Sequence, residues 1–531
     1  MIARRAGLAG GLVLALAAPA AARVTVQPYI EAQQVFSADL SGNGDAVTYT
    51  GVGAGIDVAA ESARFRGQLS YRYDHYFSWS RRYPDGDIHN GLASGSYRLG
   101  DGFSLDGAAI ATRSRGTLAA SSPGLLLGSF SNTQQIYGGQ IGPSFRRSFG
   151  DLNAAADYRF GYTHVDQGSG AFSLGPGQTL LDPSFDTLSH SAQASLGARP
   201  GHGLPFGWQL GGGLIHDEIH LLDQRYDGRY VRLDLTQPIA PTVALVGGVG
   251  YETNRASQRP VQLDSAGAPV IAHGRLVPDR AAPRLLVYDQ DGLLWDVGVL
   301  WRPSTRFELE ARGGRRYGDW AATGHLLWRP SATATVQVVA YNDIQSFGRQ
   351  LTGGIGALGD SFTASNMLIP VSLGGCVFGA NGGQGGCLPA LSSIAANFYR
   401  SRGIWALVSA THGRWTYGLG VNYDHRRYLG VATPGVASLA GVADETVTVN
   451  GLVARQLSAR STLSGTLYIG WYDSGLAGAV RYTSYGATGT YSHAFGRRLL
   501  GQAAISVYSG AGGAIDQDVI GSALLGLRYQ L

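Results

Sequence analysis

Two histidines four residues apart, in the run His216-Asp217-Glu218-Ile219-His220, have the residue types of a metal site. A zinc-protease motif needs Glu directly after the first His, where this chain has Asp217, and a helix to bring both imidazoles to one ion. The surrounding residues alternate like a strand, in which positions four apart lie about 13 Å from each other. No shared metal is expected there. Nucleophilic catalysis would need Ser, His and an orienting acid brought together, but the 12 histidines are scattered and no Gly-x-Ser-x-Gly elbow stands between a strand and a helix. The sequence singles out no catalytic, cofactor-binding or metal-binding residue, and its histidines are read as solvated wall or loop positions.

Two other groups of residues carry chemistry. Cys376 and Cys387 are the only cysteines, in the stretch CVFGANGGQGGC. An even count in an exported chain reads as one disulfide, and closing so short a loop contributes roughly 2–3 kcal/mol. The second group is a series of mixed-sign pairs: Arg72 with Asp74, Asp157 with Arg159, Arg232 with Asp234, Glu308 and Glu310 with Arg312, Asp424 with Arg426. On the inner wall of a pore they would form a hydrated surface with no large net field, suited to a neutral or weakly anionic polar solute such as a glycan. A plainer reading is that they satisfy one another beside water.

The elements that must carry these residues are strands. Phe307, Leu309 and Ala311 alternate with Glu308, Glu310 and Arg312, and the same period of two recurs at Leu69–Phe77, Val231–Leu235, Tyr417–Tyr423 and Leu463–Trp471. The tetrapeptide Trp-Arg-Pro-Ser occurs at Trp301 and again at Trp328, which suggests a repeated hairpin with each proline in a turn. Short connections such as Gly100-Asp101-Gly102, Phe149-Gly150-Asp151 and His412-Gly413-Arg414 alternate with long ones at 116–133, 167–188, 254–291 and 348–396. That sorting by length predicts an all-β transmembrane antiparallel barrel of about 22 strands, with short periplasmic turns and long extracellular loops. Trp301, Trp328, Trp405, Trp415 and Trp471, near strand ends, are candidates for an interfacial girdle. The longest loop could fold inward as a constriction or plug, or stay outside.

Composition agrees. Over 531 residues the net charge is +4, Gly numbers 79, and charged residues make up 15%, every base being arginine. No basic cluster with interleaved aromatics suggests nucleic acid. Residues 1–22 read as a signal peptide: MIARR, an apolar run, then Ala20-Ala21-Ala22. Residues 23–531 would form the barrel in the outer membrane of a Gram-negative bacterium, among outer-membrane lipid and lipopolysaccharide. Leu525, Leu527, Tyr529 and Leu531 share one face of a last strand, like the signal read by the barrel assembly machinery, although that signal usually ends in an aromatic residue and this chain ends in Leu.

The run WRPSTRFELEARGGRRYG resembles the outer-membrane barrel proteins associated with exopolysaccharide and exosortase (PEP-CTERM) gene systems. The resemblance covers about Leu294 to Phe347 and carries no active-site residues. It implies an outer-membrane role linked to surface-polymer export, with polysaccharide as a possible partner. The function expected is a passive or loop-gated conduit for polar solute or polysaccharide, not an enzyme. The alternatives are a barrel enzyme acting on lipid or glycan, and a non-conducting anchor for a surface assembly.

Overall fold

The structure, a computed structural model, describes residues 23–41, 46–80, 85–117, 120–122, 134–166, 184–201, 203–272, 275–358, 375–431, 439–476, 481–512 and 515–531. The expected signal peptide lies outside the described residues. Twenty-two antiparallel strands form one closed sheet, each bonded to its neighbours in sequence. The first strand, Arg23–Asp39, pairs with the second, Ala46–Glu61, and with the last, Ile515–Gln530. Closure leaves no edge, so backbone donors and acceptors are bonded around the ring, the condition for a sheet in hydrocarbon. Among the described residues no helix is long and apolar enough to cross a membrane.

The wall strands run from 10 residues (Phe307–Arg316) to 20 (Leu285–Ser304). Alternation sets their two faces. In Arg23–Asp39 the odd positions Tyr29, Glu31, Gln33, Val35 and Ser37 are buried, while Ile30 and Phe36 are exposed. Leu245, Val249, Leu293, Val297, Leu467 and Leu527 are likewise exposed on the outer face, an apolar surface that hydrocarbon covers and water would not tolerate. The short turns are tight. Gly150 and Gly413 each adopt φ +58 in two-residue turns, a conformation that favours glycine.

Three expectations are corrected. First, Trp-Arg-Pro-Ser is the end of each strand and not the turn: the ladder shifts register between Trp301 and Ser304 and between Trp328 and Ser331. Each proline sits in the irregularity, where no ladder donor is required, and the turns themselves are 305–306 and 332–333. Second, sorting of connections by length is incomplete, because the long-loop end also holds the tight turn at Tyr317-Gly318 and the short 3-10 turn Leu221–Asp223. Third, Trp405 is on the inner face. It pairs directly with Asn422, which is buried and two positions from buried Asp424, whereas Ile404 and Val408 take the outer positions. The other four tryptophans, Trp301, Trp328, Trp415 and Trp471, are exposed on the outer face.

Candidate functional site

The segment between the strands Ala334–Gln345 and Tyr399–His412 turns into the barrel. Ser346 caps a helix, Phe347–Gly356 (α1), its hydroxyl accepting the Arg349 N–H at 3.1 Å. The helix contains four glycines and is a poor helix on propensity alone. Burial holds it, since Phe347, Leu351 and Ile355 fall at i, i+4 and i+8 and form one apolar stripe. That stripe packs on Ile136, Val165 and Phe185, with the Phe185 and Phe347 rings 6.0 Å apart edge to face. The strands contacted are separated from Ala334–Gln345 by all those between Gly207 and Ser331, so the helix reaches across the lumen.

The rest of the described loop, 375–398, completes the filling. Cys376 and Cys387 are bonded and face each other across a short two-stranded ladder. Leu388, Ala390, Leu391, Ile394 and Phe398 join the same buried cluster as α1 and the wall. Backbone groups are tied to inner-face side chains: Thr335 donates to the Gly382 carbonyl at 2.8 Å, the Gly385 N–H to Gln337 at 2.9 Å, and Gln224 to the Ala396 carbonyl at 2.6 Å.

Two arginines bolt loop to wall from opposite directions. Arg349, on the helix, places Nε 2.7 Å from Asp217 and Nη1 3.3 Å from Asp343, and also donates to the Ile344 carbonyl. Burial opposes its charge, but the Asp217 and Asp343 carboxylates outweigh this and hold the guanidinium more firmly protonated than usual. Arg426, on the wall, donates to Asp424 at 2.6 Å and, at 2.5 Å each, to the loop carbonyls of Ser393 and Pro389. Its guanidinium lies over the Tyr399 ring, 4.9 Å from the centroid, and the Tyr399 hydroxyl donates to Gln350 of α1 at 2.7 Å. Ser393 adds a bond to Asp444 at 2.8 Å. Each of the three nitrogens of both guanidiniums has an oxygen facing it, the arrangement a buried charge requires.

The remaining charged candidates lie elsewhere on the inner face. Arg72 is 2.7 Å from Asp74 and 3.3 Å from Glu31, which also takes Arg528 at 3.0 Å. The intervening strand supplies Gly51 and Gly53 at inner positions, leaving room for the Gln33, Glu31 and Asp74 side chains to lie over it. Arg232 and Arg312 share Asp234 and Asp296, and Arg312 reaches Glu310 at 2.5 Å. Glu308 pairs with Arg302 at 2.9 Å and with His325 at 3.0 Å, not with Arg312. Asp157 and Arg159 do not pair with each other either: Arg159 reaches Asp106 at 3.1 Å, and Asp157 accepts from Gln193 at 2.8 Å. Arg159 reaches Asp106 over the intervening strand, where Gly142 has no side chain and its carbonyl accepts from the guanidinium at 3.2 Å, while Gln193 stands directly opposite Asp157 in the ladder.

Sequence reasoning missed Asp217, Arg349 and Asp343, the pairs that seat the helix. A signal existed: Ile136, Val165 and Ile219 are apolar at inner positions near the long-loop ends of their strands, and Ile110 is so in mid-strand, where a water-filled lumen would have polar residues. Among the described residues, no three His, Cys, Asp or Glu side chains are grouped to hold a metal. His216 of the HDEIH run pairs with Asp227 at 2.8 Å on the outer face, while Asp217 points inward to Arg349.

No family model matches the chain, and no curated protein does. Among solved structures it is similar to the ferric-catecholate import receptor Fiu of E. coli K12 in its closed form (TM-score 0.44, 9% identity, covering 95% of this chain and 81% of that one). It is also similar to the FrpB iron transporter of Neisseria meningitidis as apoprotein (0.44, 11%, 95% and 81%) and to the siderophore receptor PiuA of Acinetobacter baumannii (0.43, 10%, 95% and 82%). These likenesses are distant and structural only; the fold rests on the chain's own strand pairing. They lend no support to a link with exopolysaccharide export.

Proposed function

We propose that the chain is an outer-membrane conduit for polar solute, closed at rest by its own loop segments 346–358 and 375–398, and not an enzyme. The observation that carries this reading is the loop's position: helix α1 crosses the lumen and is held by Arg349 on one side, while Arg426 holds the following segment on the other. A barrel serving only as an anchor has no use for a loop folded inward, where its long loops would be lost to outside partners. The inner face also carries polar, charge-balanced groups, Glu31–Arg72–Asp74–Arg528 and Arg232–Asp234–Asp296–Arg312, which suit passage of hydrated solute. In this reading the outer face contacts outer-membrane lipid and lipopolysaccharide, the short turns face the periplasm, and the last strand, with Leu525, Leu527 and Tyr529 outward, is presented to the assembly machinery.

The test is swelling of liposomes in neutral sugars of graded size. The wild-type protein should admit them slowly, and the double variant R349A/R426M many-fold faster. Equal rates in both would defeat the gate.

A further inference from the structure

At the short-turn mouth, away from the loop, a cavity of about 580 Å³ opens on the inner face. It is lined by Arg64, Arg66, Arg98 and Arg146, with Ser96, Ser104 and Ser144 at its floor. These positions share one face because the strands carrying them are in register: Arg66 pairs with Ser96, Arg98 with Ser104, and Ser104 with Ser144. The turns are laced together by bonds from the Arg98 N–H to the Arg64 carbonyl, 2.7 Å, and from the Arg146 N–H to the Gly102 carbonyl, 2.8 Å.

Four guanidiniums so gathered repel one another, yet little compensates them. Arg66 has Glu61 at 3.6 Å, an exposed pair of small worth. Arg64, Arg98 and Arg146 make no ion pair among the described residues. Of the other carboxylates close by, Asp101, in the turn between the lining residues Gly100 and Gly102, makes no ion pair with these arginines among the described residues, and Asp106 is already spoken for: it accepts from Ser96 and Ser144 at 2.7 Å, from Ser104 at 3.2 Å and from Arg159 at 3.1 Å. The wider rim has the same sign, since its turns and adjoining strand ends carry Arg147, Arg199, Arg306, Arg414, Arg460 and Arg498 against Glu61, Asp101 and Asp151. With a net charge of only +4 for the whole chain, positive charge is concentrated at this end.

We propose that this cavity is an anion-binding site, formed by Arg64, Arg66, Arg98 and Arg146, for a soluble multiply charged anion such as a phosphorylated solute. Guanidinium forks suit phosphoryl oxygens, which accept paired N–H donors. The serine hydroxyls donate to Asp106, so recognition falls to the arginines, and one charge on the ligand would leave most of them unmatched. The site lies inside the mouth, on the inner face, so a solute reaches it and the lipid annulus does not. Its existence does not depend on conduction through the barrel.

The test is calorimetric titration of the full-length protein, in nanodiscs of zwitterionic lipid at low salt, with inorganic pyrophosphate as the probe. Wild type should give saturable binding, weakened at least tenfold in R98Q/R146Q and nearly unchanged in R414Q/R460Q, which removes the same charge elsewhere on the rim. The exposed single substitution R98Q gives the same reading, several-fold weaker, should the pair not fold. Absence of saturable binding, or equal weakening by both pairs, would overturn the site and leave only a diffuse rim potential. Repeating the titration with phosphatidylglycerol in the discs separates the sources: unchanged binding supports a soluble ligand, and competition would overturn that part by showing that a lipid headgroup fills the cavity. A barrel that binds pyrophosphate but never admits sugars would remove the conduit reading and keep this one.

Discussion

At the residue scale, the account depends on two arginines with different duties. Arg426 belongs to the wall and binds loop carbonyls, so replacing it with Met removes both loop bonds and leaves Asp424 buried without its closest cation. Breaking a buried pair in this way costs about 3–5 kcal/mol. R426M should therefore lower loop protection in hydrogen exchange at 375–398 by two orders of magnitude or more while the wall strands keep theirs; uniform loss would show Arg426 supports the wall instead. Trp405 offers a second residue-level check. With its ring on the inner face, W405F should leave quenching of emission by brominated lipid unchanged, whereas W471F, which removes an exposed outer-face ring, should reduce it. Trp405 was misread because it stands in the middle of Tyr399–His412 and not near an end, and because an aromatic fits either face until the register with Asn422 decides between them.

At the scale of elements, strands and loops were unequally legible. Alternation over stretches such as Phe307–Arg316 exposes the pleat directly, because successive side chains must point to opposite faces, and the ring of 22 strands follows from counting such stretches. The tight turn at Tyr317 escaped the rule of long outer loops because that residue turns inward: its N–H meets Glu252 and its hydroxyl meets Asp343, local pairings that no pattern of hydropathy reveals. Loop 346–398 was visible only as a long Gly-rich insertion with two cysteines. Its inward course depends on Asp217, a carboxylate far away in sequence, and on apolar inner positions of distant strands. The disulfide belongs to this element alone, spanning 11 residues. C376S/C387S should weaken the loop by about 2–3 kcal/mol and increase its proteolysis, while heat-dependent gel migration of the barrel stays as in wild type; a parallel loss of barrel heat resistance would show the bridge supports the wall.

At the scale of the whole molecule, a closed sheet with apolar residues outside and polar ones inside is stable only with lipid around it. Leu467 is exposed on the outer face midway along Ser461–Asp473, and its neighbour Thr466 takes the inner one. L467R should destabilise the barrel by about 2–4 kcal/mol in denaturant titration from vesicles, and T466R by much less; the reverse order would invert the assignment of faces. The central claim is that the lumen is closed by the segments 346–358 and 375–398. Single-channel recording in planar bilayers tests it most directly, comparing the wild-type protein with one in which residues 347–397 are replaced by a short Gly-Ser linker between the same two strands. The account predicts a wild-type barrel that inserts and stays almost silent, and a shortened one that passes large, steady current steps. Equal conductance in the two proteins would contradict it.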